Sequence, residues 1–135
     1  MDFIEKPATM LARARKMEKV NLAEKFATFS ERWAPKIVGT VDDYEVKIVK
    51  IEGDFVWHSH ADADEMFLVV EGELRMDFRD RQVRVRPGEM IVVPRGVEHK
   101  PFAAGECKMM LLERRGVANT GDGPAGPRTR APERI

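Results

Sequence analysis

The chain has 135 residues, enough for one domain that buries about two thirds of the surface its unfolded form would expose. Lysine plus arginine and aspartate plus glutamate number 23 each, so no net field draws the chain to nucleic acid or to an anionic membrane. The single Cys107 excludes an internal disulfide, and no apolar run approaches the length of a spanning helix or of a signal-peptide core. The expectation is a cytoplasmic protein with a small-molecule ligand.

Residues 1–34 read as a helical extension. Met10, Ala14 and Met17 recur at helical spacing after Pro7, which suits a first helical turn. A second helix has better support. Asn21 is placed to cap it, Glu24 follows three residues later as in a capping box, and Leu22, Phe26, Phe29 and Trp33 form one apolar stripe before Pro35. The stripe is favoured as packing against the rest of the fold rather than as a partner-binding helix. Residues 1–16 read as expendable to that fold.

From Lys36 the pattern changes to strands, and the domain proper spans 35–115. Lys36–Val41 and Tyr44–Ile51 flank Asp42-Asp43, a hairpin turn, and short apolar segments recur at 83–85, 90–93 and 107–112 with Gly, Pro or Asp between them. Regular short strands separated by turn signals imply a sandwich or a barrel. Leu74–Arg79 and Val83–Arg86 alternate strictly, so each has one wet, charged face. Met66–Val70, Met90–Val93 and Met109–Leu112 are apolar on both faces, and either the N-terminal helix or another subunit must cover the outer one. Phe55 and Trp57, out of phase with His58, read as aromatic anchors of a homodimer formed through that outer face. Cys107, alone in an apolar strand, reads as inert packing. Residues 116–135 are rich in Gly and Pro and carry no regular element; they either lie as an extended arm over the domain or stay mobile.

The chemistry concentrates in two short segments, which hold all three histidines of the chain: His58 and His60 in one, His99 in the other. On a strand, residues two apart point to one face, so His58 and His60 project side by side. Glu65 opens the apolar run Met66–Val70, and its strand and the next offer only Phe67, Val69, Leu74, Met76 and Phe78 in phase with it. An unpaired buried carboxylate costs several kcal/mol. A divalent cation would remove that penalty, and imidazole plus carboxylate suits iron, manganese, nickel or zinc.

Gly53-x4-His58-x-His60-x4-Glu65-x6-Gly72 resembles the first cupin motif, one residue short between the glycine and the first histidine. Gly88-x5-Pro94-x-Gly96-x2-His99 resembles the second. Ala103 stands where cupins usually carry Asn, a change that spares the four ligands. The resemblance implies an all-β fold, a small jelly-roll antiparallel β-barrel, with His58, His60, Glu65 and His99 holding one metal ion inside. Four protein ligands leave up to two positions open on a six-coordinate ion, enough for water, dioxygen or a bidentate substrate.

By phase, the cavity walls are Val56, Phe67, Val69, Leu74, Met76 and Phe78, which suit an apolar or aromatic ligand and offer no Arg or Lys fork for phosphate. Dioxygenase-like oxidation of a small organic molecule therefore ranks above phosphosugar isomerisation. A non-catalytic module that binds metal or a small molecule is the alternative, and a purely structural barrel a third. Tyr44 and Glu98 are the candidate acids or bases. Arg95, Glu98 and Lys100 near His99 read as ordinary surface charges.

Overall fold

The computed structural model describes residues 17–123 and 125–135. The first expected helix falls on residues 1–16, outside that range, apart from Met17, which is exposed. The second helix, α1, runs only over Leu22–Phe26. Its cap forms as the sequence implies: the Asn21 side chain accepts the Glu24 N–H at 3.0 Å. It stops short of the expected stripe, because the Thr28 hydroxyl takes the Lys25 carbonyl at 2.7 Å and Trp33 turns inward with a φ of 61°. The indole then stacks on Phe55 with centroids 4.6 Å apart and donates to the Glu52 carbonyl at 3.1 Å. Interior burial of the largest side chain overrides helix continuation.

From Lys36 to Arg114 the chain forms seven antiparallel strands: β1 Lys36–Val41, β2 Tyr44–Asp54, β3 Glu65–Glu71, β4 Leu74–Asp77, β5 Gln82–Val85, β6 Met90–Val93 and β7 Lys100–Arg114. Asp42, at a φ of 52°, makes the expected turn between β1 and β2. The strand expected at 107–112 is longer because β7 serves two sheets. Its first residues pair with β4 and its later ones with β3, while β2 runs along nearly its whole length. Between Cys107 and Ala103 the register with β2 slips, and this irregularity lets one strand pass from one sheet to the other. β6 pairs with β3, β5 with β4, and β1 with the outer side of β2. The strands on either side of β7 wrap as a jelly roll. At Gly72 the chain reverses with a φ of 87°, and a Cβ there would stand 2.5 Å from the Glu106 carbonyl oxygen.

Inward residues of both sheets, among them Val49, Ile51, Phe67, Val69, Leu74, Met76, Cys107 and Met109, form one core with Trp33 and Phe55. Burial pushes the Cys107 thiol up to about 12, so it remains a protonated packing group. Phe55 is thus no outer-face anchor. β2 ends at Asp54, and the loss of regular alternation beyond it undoes the phase count. Trp57 is half-buried under the Arg79 guanidinium, 3.9 Å from its ring. Nor does the helix cover the doubly apolar strands: α1 packs on β2, while Val70, Met90 and Val92 stay exposed. Contrary to the expectation of no regular element in 116–135, the C-terminal arm ends in β8, Glu133–Arg134, parallel to β1, because Glu133 N–H donates to the Pro35 carbonyl at 3.3 Å and Ile135 N–H to the Ile37 carbonyl at 3.1 Å. No helix among the described residues is long and apolar enough to cross a membrane.

Candidate metal centre

The centre begins with a main-chain bridge. His58 N–H donates to the His99 carbonyl at 3.1 Å and His99 N–H to the His58 carbonyl at 2.9 Å. That exchange sets two imidazoles side by side, with centroids 4.3 Å apart. Each ring is then turned by its own chain: Nδ1 of His58 lies 2.9 Å from the Val56 carbonyl and Nδ1 of His99 lies 2.9 Å from the Val97 carbonyl. A carbonyl only accepts, so each Nδ1 carries the proton and each Nε2 presents a lone pair. Glu65, the first residue of β3, brings Oε1 to 3.2 Å from His60 Nε2 and 3.6 Å from His99 Nε2. One donor atom from each of His58, His60, Glu65 and His99 lies within 4.8 Å of all the others.

Burial makes this arrangement expensive as it stands. All four residues are at most 5 % exposed, yet among the described residues both nitrogens of His60, Nε2 of His99 and Oε1 of Glu65 have no hydrogen-bond partner. Burial first, and His99 second, hold the His58 pKa down to about 4, so its imidazole is neutral at physiological pH, as a ligand must be. Burial alone would raise the Glu65 pKa, but contact with His60, His99 and Glu113 pulls it below the ordinary carboxylate range. A neutral His58 imidazole, an ionised carboxylate and orphaned inward-facing nitrogens fit a divalent transition metal ion.

The sequence reading missed the neighbours of this cluster. Glu65 pairs across the sheet with Glu113 of β7, and Glu113 pairs in turn with Glu45 of β2, so three buried glutamates stand in one row. Lys47, two residues from Glu45 on the same face, donates to Glu113 Oε1 at 2.7 Å and lies 3.8 Å from Glu45 Oε1. Burial first, then the Glu65 charge, pushes Glu113 up to about 9 despite Lys47. The available signal was charge in phase with core: Glu113 follows Met109 and Leu111 at period two, and Glu45 and Lys47 precede Val49 and Ile51.

Beside the cluster lies a cavity of about 40 Å³, lined by His58, Glu65, Glu113 and Asn119 among Trp33, Phe55, Phe67 and Met109. Only Phe67 of the expected walls is there. Val69, Leu74 and Met76 are buried in packed core, while Val56 and Phe78 lean on it half-buried. Tyr44 and Glu98, the expected acid or base candidates, are not brought in. Tyr44 is exposed at the start of β2, and exposed Glu98 takes Arg79 at 3.1 Å. Arg95 pairs with Asp64 and Lys100 with Asp54, as surface charges do.

A family model described as the cupin domain matches residues 45–115, more than half of the chain. The chain belongs to the cupin family. Among solved structures, a cupin-2 domain containing protein from Shewanella frigidimarina NCIMB 400 is 47% identical, with a TM-score of 0.72 over 76% of this chain and 98% of that one. Protein NMB1881 from Neisseria meningitidis is 36% identical, with a TM-score of 0.67 over 72% of this cupin and 99% of that chain. The uncharacterized protein YdbB of Bacillus subtilis (strain 168) is 36% identical over 78 residues, 57% of this chain. That match spans 63% of YdbB, under two thirds of its length.

Proposed function

We propose that this cupin holds one divalent transition metal ion, iron, manganese, nickel or zinc, on His58, His60, Glu65 and His99, and that it acts on a small organic molecule by dioxygenase-like oxidation. The unpartnered buried donors carry the reading. Both ring nitrogens of His60, Nε2 of His99 and Oε1 of Glu65 are buried without a hydrogen bond among the described residues, and the Glu65 carboxyl is held below the ordinary carboxylate range. A divalent cation would meet those atoms and offset that buried charge in the same step. Such an ion supplies a Lewis acid or a dioxygen centre with positions left open.

The chain's own residues then have definite tasks. Val56 and Val97 fix the tautomers of His58 and His99. Phe55, Phe67 and Met109 keep water from the open side and face the apolar part of a ligand. Glu113, anchored by Lys47, has Oε2 buried without a partner in a residue that lines the cavity, and it is the nearest group able to take or give a proton. Among the described residues no Lys or Arg lines the cavity to hold a phosphate, which ranks phosphosugar isomerisation lower. One observation favours the alternative of a binding module that turns nothing over: the cavity holds only about 40 Å³, room for a few waters.

Protein purified without added metal should contain close to one ion per chain. Exchange of iron, manganese, nickel and zinc into the apoprotein, with dioxygen consumption followed on small diols, diketones and catechols, tests the oxidative reading. Silence with every metal would replace it with the binding module.

We further propose that two copies pair through the outer face of β3 and β6. Exposed Val70, Met90 and Val92 adjoin half-buried Met66 and Leu68, and no outward residue among them is charged. A two-fold axis would set this apolar face against itself. Light scattering that finds a monomer at micromolar concentration would overturn the pairing.

A further inference from the structure

The matched cupin domain ends at residue 115, yet the chain beyond it returns to the histidines. His60 lies in no strand, and its Nδ1 has no hydrogen-bond partner among the described residues, so the main-chain anchors on either side of it do much to set where its imidazole points. One anchor is the Gly96 N–H, which donates to the His60 carbonyl at 2.9 Å. The others come from Asp122. Its N–H donates to the Ser59 carbonyl at 2.7 Å, and its Oδ2 accepts the Ala61 N–H at 2.8 Å. One residue thus grips the chain on both sides of His60.

The glycines around Asp122 show how close this approach is. A Cβ on Gly121 would stand 2.3 Å from the Ser59 oxygen and 2.6 Å from His60 Nδ1; one on Gly123 would stand 2.6 Å from His58 Cβ. Gly121 also has a φ of 51°, which a side chain would strain. Only bare backbone can lie flat on both histidines. The segment is itself held in shape: Gly121 N–H donates to Ala118 and Gly123 N–H to Thr120. Upstream, the Asn119 amide donates to the Trp33 carbonyl at 3.0 Å and the Arg128 carbonyl at 2.7 Å.

We propose that residues 119–123 are part of the metal centre and that Asp122 is the positioning residue for His60, a role that rests on the metal-binding reading given above. With the clamp in place, His60 is ordered before the ion arrives; without it, the 59–61 segment must be ordered at the moment of binding, which weakens affinity and hastens release.

The experiment compares wild type, D122A, D122N and G121A, each loaded with Co²⁺. Affinity is read by titration, release by transfer to a chelator, and ligand geometry by the visible ligand-field spectrum. Removing a group that orients a metal ligand typically costs about 10- to 100-fold in affinity, the loss expected for D122A and G121A. D122N keeps an acceptor oxygen and should stay near wild type. In the metal-free protein, exchange of the Ala61 amide should quicken in D122A while the melting temperature holds, because Asp122 is exposed. Wild-type affinity, release rate and spectrum in D122A, with wild type binding one ion, would overturn the clamp and leave the metal centre standing. No Co²⁺ binding by wild type would overturn both.

Discussion

Two of the groups of buried polar side chains differ in whether their atoms are partnered. Near α1, Lys36 is 3 % exposed, but its ammonium meets Glu31 at 2.9 Å and Glu133 at 3.2 Å. Lys50 donates to the Phe29 carbonyl at 2.6 Å and lies 5.0 Å from the centre of that ring. These amines fasten the N-terminal segment and the C-terminal arm to β1 and β2, and they are satisfied. At the other group, His60, His99, Glu65, Glu113 and Glu45 each keep a buried atom without a partner among the described residues. A fold selected for stability alone would have paired those atoms or replaced them with hydrocarbon. Incomplete pairing, rather than buried charge itself, separates the site from the scaffold.

The sharpest way to break that comparison is to remove donors from the unpaired group. His58→Ala with His60→Ala should take ion content from near one per chain to none in a folded barrel, by metal analysis and circular dichroism. Full metal in that variant would end the assignment.

Next is the loss of the one cation among the acidic row. Lys47→Met leaves Glu113 and Glu45 without it and should cost about 3 kcal/mol in denaturant unfolding of the metal-free protein. Lys36→Met, whose partners lie largely in water, should cost distinctly less. Equal losses would erase the distinction drawn here.

The pH profile of the metal-free protein gives a smaller, graded effect. His58, lowered to about 4 from 6.5, binds fewer protons folded than unfolded, so its contribution rises with pH between those values. Glu113, raised to about 9 from 4.5, binds more protons folded, so its contribution is complete below 4.5 and drains away as pH climbs to 9. Between 4.5 and 6.5 the two oppose each other; above 6.5 Glu113 acts alone, and stability should fall by up to about 1.4 kcal/mol per pH unit. Glu113→Gln should flatten that alkaline limb, as thermal melts at pH 7 and pH 9 would show. The smallest effect belongs to the exposed pair of Arg32 with Glu106: Arg32→Ala should stay within about 0.5 kcal/mol of wild type and leave ion content unchanged.

Much of this architecture is legible in local pattern. The β1–β2 hairpin follows from two apolar runs around Asp42-Asp43, and the Asn21 cap from a side chain that bonds three residues away. The clustered residues His58, His60, Glu65 and His99 were also readable, because their spacing is a property of two short segments. The failures share one cause, a contact made at long range. Trp33 left its helical stripe for Phe55, which no periodicity of residues 22–33 encodes. Phe55 was placed outward by counting in twos across a stretch where β2 has already ended. Glu113 was overlooked because the partner of Glu65 was sought on its own strand and the next, whereas it arrives from β7.

The amino-acid sequence by itself determined the strand-rich class, the cupin spacing and the four residue types that the candidate site brings together, since each is a matter of residue type at short separation. Only the tertiary structure decided that the His58–His99 bridge closes the cluster, that Glu45, Glu113 and Lys47 share its interior, and that a Gly-rich arm lies against His58 and His60. Those outcomes depend on which strands become neighbours and how closely backbones approach. Such relations are set by packing the whole chain at once, and no window along it contains them.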